Sequence, residues 1–375
     1  MSELEFFDSG ALLSPPVKRA AYSDRTAWLM AEMSRLAYEK FEGNNSLKEI
    51  SAKLANVSDT REIEKIMAVF IDKLKEAGDK GEEHLADELK KAEFTLIRTY
   101  DAHGTQAFLA RLNTERNKRE GMLVLAFRGT ETVYEDIRSD LTANLITDGS
   151  GHRVHKGFYD ALFAVGNDIK ADLVHYPDLP LYITGHSLGG ALAVLATKYL
   201  ASDSVGACYT FGSPRVGDRN LGQGIKTPIY RVVNSADGVP RVPPSWFVDI
   251  LIFLVDLVPF RGLGFISGFL HKLQGYVHYG DMRYLTHVVA GADDRFEGLQ
   301  LISNPSLVAR ATRLFARVTS GGFKVMGQDH SIALYSKKLR FHALDQNIGA
   351  QAGATFAKAS EPLPATVETA ESVDH

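Results

Sequence analysis

Residues 181–190 read LYITGHSLGG and join an apolar strand to a glycine-rich turn. The turn Gly185-His186-Ser187-Leu188-Gly189 fits the pattern G-x-S-x-G. In this pattern the serine lies on a sharp bend between a strand and a helix, and its hydroxyl projects from the end of the sheet. Side chains two positions before and after the serine would collide, which accounts for the two glycines. Ser187 is therefore the candidate nucleophile.

The segments around this turn alternate between strand-like and helix-like patterns. Strands are predicted at 94–97, 107–110, 122–127, 181–184, 207–211 and 229–233, and helices at 157–174 and 188–200. Strands that alternate with helices indicate a mainly parallel central sheet flanked by helices on both faces. The sequence therefore predicts an α/β fold, and the G-x-S-x-G turn predicts its α/β-hydrolase version.

The chain divides into three predicted regions. Residues 1–92 are predicted to form an N-terminal leader and a helical accessory region, with one helix at about 22–41. Residues 93–348 are predicted to form the hydrolase domain, with an apolar helical insertion at about 246–320 before the catalytic histidine. Residues 349–375 are rich in Ala, Thr and Glu and are predicted to be a disordered tail.

A serine nucleophile needs an acid and a base that follow it along the chain. The base takes the serine proton, and the acid orients the base. In α/β-hydrolases the order is serine, acid, histidine. Asp237 lies in the turn just after the strand at 229–233, where the catalytic groups of open α/β sheets collect. The competing acids are Asp218, Asp249 and Asp256.

Six histidines follow Ser187 and compete for the role of base. They are His271, His278, His287, His330, His342 and His375. His330 follows a loop that contains glycine and precedes an apolar, helix-like pattern, but local reasoning alone does not choose among the histidines. The oxyanion hole needs backbone amides directed at the developing charge. One amide should come from Leu188, and the other from the segment Phe127-Arg128-Gly129-Thr130, which ends an earlier strand.

Several separated segments resemble the class 3 lipases, which are also called fungal-lipase-like triacylglycerol lipases. The segments are 126–130, 155–158, 185–190 and 210–217, extended by 231–234 with Asp237 and by Asp329 with His330. The resemblance implies that Ser187 is the nucleophile, Asp237 the acid and His330 the base. It also implies that the amides of Thr130 and Leu188 form the oxyanion hole.

The same resemblance implies a reaction and a class of substrate. The expected reaction is hydrolysis of acyl ester bonds of lipids through an acyl-enzyme intermediate, without a metal or an organic cofactor. Triacylglycerol, monoacylglycerol and phospholipid stay open as substrates, and a phospholipase A1 is the nearest variant. Residues 131–140 are expected to form a lid, and His278 corresponds to a family position that is not the base. The alternatives are a non-catalytic binding protein, an acyltransferase or a thioesterase on the same fold.

Composition and the N-terminal sequence limit the partners and the location. The net charge of −4 and the pI of about 6.3 do not suggest a protein that binds nucleic acid. Cys208 is the only cysteine, so no disulfide can form within the chain. The acidic start lacks the pattern of a secretory signal, because the first basic residue is Lys18. We therefore expect a bacterial protein that is cytoplasmic, or exported by a signal-independent route, and peripheral on a membrane.

Two segments suggest contact with a lipid surface. Residues 246–270 are unusually apolar, but charged residues interrupt them and no transmembrane span is predicted. In the helix predicted at 305–319, Arg310, Arg313 and Arg317 share one face and apolar side chains share the other. A basic amphipathic helix of this kind suits an anionic lipid surface. The alternative is a helix packed on the core with its arginine face in solvent.

Overall fold

The central sheet is mixed, and its middle is parallel. A computed structural model describes residues 5–13, 20–39, 81–113, 121–129, 145–241, 275–291, 295–321 and 327–359. Its strands are β1 (Phe94–Ala102), β2 (Thr105–Leu112), β3 (Leu123–Phe127), β4 (Leu145–Thr147), β5 (Arg153–His155), β6 (Leu181–His186), β7 (Cys208–Phe211), β8 (Ile229–Asn234), β9 (Asp281–Leu285) and β10 (Leu301–Ser303). In this part of the chain the main sheet has the order β1-β2-β3-β6-β7-β8-β9-β10. Strands β3, β6, β7, β8 and β9 pair in parallel, while β1, β2 and β10 join by antiparallel pairing.

Helices cover both faces of this sheet. They are α1 (Gly10–Leu13), α2 (Asp24–Leu36), α3 (81–91), α4 (Lys156–Leu173), α5 (Leu188–Leu200), α6 (Leu307–Gly321) and α7 (Ile332–Ala359). One apolar cluster joins the sheet to α2, α3 and α7, and a second joins it to α4 and α5. All residues of β3 and β6 are buried, as central parallel strands require. The predicted α/β-hydrolase fold is thus confirmed, and α5 has the predicted bounds.

Helix α2 belongs to the hydrolase core. Ser23 caps its N-terminus, since the Ser23 hydroxyl accepts from the amide of Thr26, and the helix ends at Leu36 rather than near residue 41. Trp28 and its apolar neighbours are fully buried against the sheet and α7. The hydroxyl of Ser34 lies 2.8 Å from that of Thr184 on β6. The N-terminal region, where it is described, is therefore not a separate accessory layer.

Two predictions on the C-terminal half need correction. The insertion predicted as helical at about 246–320 contains β9 and β10, which extend the main sheet, as well as α6. The tail predicted from residue 349 begins later, because α7 continues to Ala359 through an alanine-rich sequence that favours helix. Residues 242–274, which include the whole apolar segment 246–270, lie outside the described residues. Among the helices in the described ranges, none is long and apolar enough to span a membrane.

Helix α6 turns its arginine face inward, which contradicts the expectation of a core-packed helix with that face in solvent. Three of its apolar side chains face solvent, with Leu307 60%, Val308 73% and Phe315 71% exposed. Its arginines turn inward: Arg313 stacks 5.8 Å from the ring centre of Tyr284, and Arg317 Nη2 lies 3.9 Å from Asp329 Oδ1. Arginine stems pack well on a sheet, and guanidinium groups pair with aromatic faces and carboxylates. Tertiary partners therefore outweigh the polarity of the helix faces.

Candidate active site

Ser187 lies on a strained bend between β6 and α5. Its φ of 56° and ψ of −126° are rare for a residue with a side chain. A Cβ at Gly185 would overlap the carbonyl of Gly189, and a Cβ at Gly189 would overlap the carbonyl of Phe127. The two glycines therefore leave room for the bend, as the sequence predicts. Ser187 is fully buried, so an ester can reach it only after the groups around it move.

The structure brings Ser187, His330 and Asp237 into one hydrogen-bonded chain. Ser187 Oγ lies 2.9 Å from His330 Nε2. His330 Nδ1 lies 2.9 Å from Asp237 Oδ2 and 3.0 Å from Oδ1. Because a carboxylate only accepts, the proton of the neutral imidazole lies on Nδ1, and Nε2 is left to accept the serine proton. This arrangement can activate a hydroxyl for attack on a carbonyl carbon.

Asp237 is held by two further donors. The hydroxyl of Tyr335 on α7 donates to Asp237 Oδ2 at 2.6 Å, and the amide of Val239 donates to Oδ1 at 2.9 Å. Burial and then the charge of Asp237 raise the pKa of Tyr335 well above 10, so the phenol keeps its proton. Sequence reasoning missed Tyr335, because nothing local distinguishes it from another core residue of α7.

The loop that carries His330 is fixed to the loop that carries Asp237. The carboxylate of Asp329 accepts from the Ser235 hydroxyl at 3.1 Å and from the Ala236 amide at 3.0 Å. The side-chain amide of Asn234 donates to the backbone carbonyl of Asp329 at 3.0 Å. Lys338, whose pKa burial lowers to about 8, donates to Asn234 Oδ1 at 2.7 Å. These buried hydrogen bonds fix the positions of Asp237 and His330 relative to each other, although the two residues are far apart in the sequence.

One of the two predicted oxyanion residues lies in the described part of the chain. Leu188 is the first residue of α5, so its amide has no acceptor within the helix and lies at the positive end of the helix dipole. It is therefore available to a developing oxyanion next to Ser187. Thr130 and the predicted lid at 131–140 lie outside the described residues.

Three of the other described candidates have structural partners, while His287 lies outside the triad and burial lowers its pKa. His278 is deeply buried and lies 2.7 Å from the carbonyl of Pro240 through Nε2, and burial lowers its pKa well below 6.5. Asp218 caps the short helix Arg219–Gly222. His342 lies beside Asp24, 3.6 Å away. His271, His375, Asp249 and Asp256 lie outside the described residues.

Within the described ranges, no group of three or more His, Cys, Asp and Glu side chains is arranged to hold a metal ion.

The region that contains this site matches a known family. The model of the family "Lipase (class 3)" matches residues 124–247, which include the strained bend at Ser187 and the acid Asp237. Over these residues the chain is similar to the class 3 lipases. Most of the family-like segments recognised in the sequence lie within the matched residues.

Relatives align with only part of this chain. A lipase of Rhizomucor miehei is 34% identical over 169 residues, which are 40% of this chain and 45% of that protein. The chloroplastic phospholipase A(1) DAD1 of Arabidopsis thaliana is 36% identical over 151 residues, which are 32% of this chain and 33% of that protein. The structure of the Rhizomucor miehei lipase propeptide complex is 28% identical with a TM-score of 0.41, over 54% of this chain and 59% of that one. The chain thus spans less than half the length of the curated relatives it matches.

Proposed function

We propose that this protein hydrolyses acyl ester bonds of lipids through an acyl-enzyme on Ser187. The observation that carries the proposal is the continuous chain from Ser187 Oγ through His330 to Asp237, with contacts of 2.9 Å at both ends. A serine placed in this way on a strained bend is a nucleophile rather than a packing residue. The match of residues 124–247 to a family of lipases supports a lipid ester as the substrate.

The proposed reaction has two halves. Ser187 Oγ attacks the ester carbonyl while its proton passes to His330 Nε2, and Asp237 stabilises the imidazolium that forms. The amide of Leu188 donates to the oxyanion. His330 then protonates the leaving alcohol, and a water molecule, deprotonated by the same nitrogen, releases the fatty acid. We include the amide of Thr130 as the second oxyanion donor.

Triacylglycerol or a related glycerolipid is the proposed substrate, because the Rhizomucor relative is named a lipase. A phospholipase A1 activity on membrane phospholipids is the second candidate, because the Arabidopsis relative carries that name at similar identity. The two differ in the head group that the site must admit, and not in the chemistry at Ser187.

Fatty acid release in a pH-stat distinguishes these substrates. The wild-type chain and Ser187→Ala are compared on emulsified triacylglycerol and on phosphatidylcholine vesicles. We expect release by the wild type alone, with triacylglycerol the faster substrate. Faster release from vesicles, with lysophospholipid as the second product, would favour the phospholipase. Absence of release from both lipids would contradict the proposal of a lipid substrate.

We also propose that the outer face of α6 contacts the lipid surface that presents the substrate. The exposed Leu307, Val308 and Phe315 form an uncharged apolar face, since the arginines of α6 turn inward. Burying such side chains in a lipid interface contributes on the order of 1.5–3 kcal/mol each. Replacing all three with serine should weaken co-sedimentation with neutral lipid vesicles and leave hydrolysis of a soluble ester unchanged. Val174 and Val205, exposed elsewhere by 68% and 72%, supply the matched serine control. Equal vesicle binding by both variants would exclude α6 as the contact.

A further inference from the structure

His186 is the first of the two variable residues of the G-x-S-x-G turn, and the triad does not use its side chain. The imidazole is buried beside His330, with the two ring centres 4.5 Å apart. Its Nε2 lies 2.6 Å from the backbone carbonyl oxygen of His330. Its Nδ1 lies 2.9 Å from the hydroxyl of Tyr38, which follows the end of α2. One side chain therefore bridges the N-terminal region and the backbone of the base.

The hydrogen-bond partners decide the tautomer of His186. The carbonyl of His330 can only accept, so the proton of the ring lies on Nε2. Burial, and next the charge of His330, hold the pKa of His186 well below 6.5, so the ring stays neutral. Nδ1 is then an acceptor, and the Tyr38 hydroxyl must donate to it. The result is a directed chain from Tyr38 through His186 to the carbonyl of His330.

Tyr38 also borders the segment that leads to the predicted oxyanion residue Thr130. A Cβ at Gly129 would overlap the Tyr38 hydroxyl and lie 2.5 Å from the carbonyl oxygen of His186. The guanidinium carbon of Arg128 lies 5.6 Å from the ring centre of Tyr38. Tyr38 therefore contacts the end of β3 and the bridge to His330 at the same time.

We propose that Tyr38 and His186 are positioning residues that fix the backbone of His330 relative to the segment after β3. This inference rests on the proposed function of Ser187. Neither residue touches the reacting atoms. Their hydrogen bonds keep His330 Nε2 at bonding distance from Ser187 Oγ while the substrate carbonyl faces the oxyanion amides. We call the hydrogen bonds from Tyr38 through His186 to the carbonyl of His330 the bridge. Its loss should slow the chemical step and leave substrate binding unchanged, because a displaced His330 weakens proton transfer in the transition state.

Four variants test the bridge with a soluble p-nitrophenyl ester. Tyr38→Phe removes the donor hydroxyl alone, and His186→Met removes both contacts. Each should lower kcat about 10- to 100-fold, the range of one or two buried hydrogen bonds, with KM unchanged within about twofold. The double variant should be no slower than His186→Met, because the two residues act through one chain. His186→Gln, whose amide can donate to His330 and accept from Tyr38, should recover most of kcat.

Tyr230→Phe is the matched control, because its hydroxyl donates to the carbonyl of Ala20 at 2.8 Å and has no contact with His330. It should leave kcat unchanged. The rate at which a fluorophosphonate labels Ser187 provides a second readout that needs no lipid substrate, and it should fall in parallel with kcat. If the wild type is active and the folded variants have the same kcat as the wild type, the bridge is overturned and the proposed function is not. The same conclusion follows if the kcat losses of the single variants multiply in the double variant. A wild type that neither hydrolyses esters nor reacts at Ser187 overturns the proposed function and the bridge with it.

Discussion

Replacing Tyr335 with Phe removes one hydroxyl that serves two buried partners. The hydroxyl donates to Asp237 Oδ2 at 2.6 Å and accepts from the amide of Asn234 at 2.8 Å. Asp237 and Asn234 have no solvent exposure, so bulk water cannot take the place of the hydroxyl. The variant should lose stability and change the pH dependence of the reaction.

The size of both effects follows from the contacts. The variant loses a buried hydrogen bond to a charged group and leaves a buried amide without its acceptor. Together these changes should lower the free energy of unfolding by about 2–4 kcal/mol, after allowing for the easier burial of Phe. With one donor removed, the negative charge of Asp237 is less neutralised and attracts the imidazolium form of His330 more strongly. The acid limb of kcat/KM should therefore move to higher pH, by about half a unit for each 0.7 kcal/mol of added attraction.

The assay combines urea unfolding with kcat/KM for a soluble p-nitrophenyl ester between pH 5 and pH 9. Tyr199→Phe is the matched control, because Tyr199 donates to Asp148 Oδ2 at the same 2.6 Å, away from the triad. The control should lose stability but keep the pH profile of the wild type. If both variants give the same acid limb, Tyr335 does not act through Asp237 and the reasoning fails.

Three further predictions concern the same site and its surroundings. Gly212→Ala should lower kcat by more than about 100-fold in a folded protein. The reason is that Gly212 has a φ of 59° and an added Cβ would lie 2.5 Å from Asp237 Oδ2. Unaltered kcat with a native circular dichroism spectrum would contradict this prediction. Asp329→Ala should reduce the free energy of unfolding by about 2–4 kcal/mol and lower kcat, since the acceptor of the Ser235 hydroxyl and the Ala236 amide is lost. Urea unfolding and ester kinetics check both effects, and an unaffected kcat would show that the acid loop keeps its position without Asp329. Burial lowers the pKa of His155 to about 4, so the neutral imidazole favours the folded state above pH 6.5. The free energy of unfolding should therefore fall as the pH drops from about 6.5 to 4, by up to about 1.4 kcal/mol per pH unit. The free energy of unfolding of the wild type and of His155→Asn is compared at pH 7 and pH 5, since Asn can keep the acceptor that caps the helix. An equal loss of stability in both proteins between these pH values would exclude His155 as the cause of the pH dependence.

The parts of the site that were predictable have local signals. Gly185 and Gly189 surround the nucleophile at a spacing that only a strained bend requires, and an apolar strand and a helix of small residues flank them. Asp237 follows a strand end, which fixes its place at the carboxyl edge of a parallel sheet. For His330 the residues alone left alternatives open, and the family resemblance was needed to prefer it.

The parts that were missed depend on contacts between distant segments. Tyr38 and Tyr335 look like ordinary helix residues in the sequence, and only the packing of α2 and α7 on the same face of the sheet brings their hydroxyls to the triad. The inward turn of the arginines of α6 depends likewise on Tyr284 and Asp329, which the helical pattern does not reveal. Strand β10 is short and half-exposed, and it gives little periodic signal.

The most direct test of Ser187 as the nucleophile is the hydrolysis of p-nitrophenyl butyrate by the wild type and by Ser187→Ala. A soluble ester separates the chemistry from docking on lipid. Ser213→Ala is the matched control, because Ser213 is a buried neighbour whose hydroxyl donates to the carbonyl of Pro214 at 3.1 Å. We predict that Ser187→Ala loses about four to six orders of magnitude in kcat while Ser213→Ala stays near the wild type. Activity that survives in Ser187→Ala would place the catalytic group elsewhere and contradict the triad.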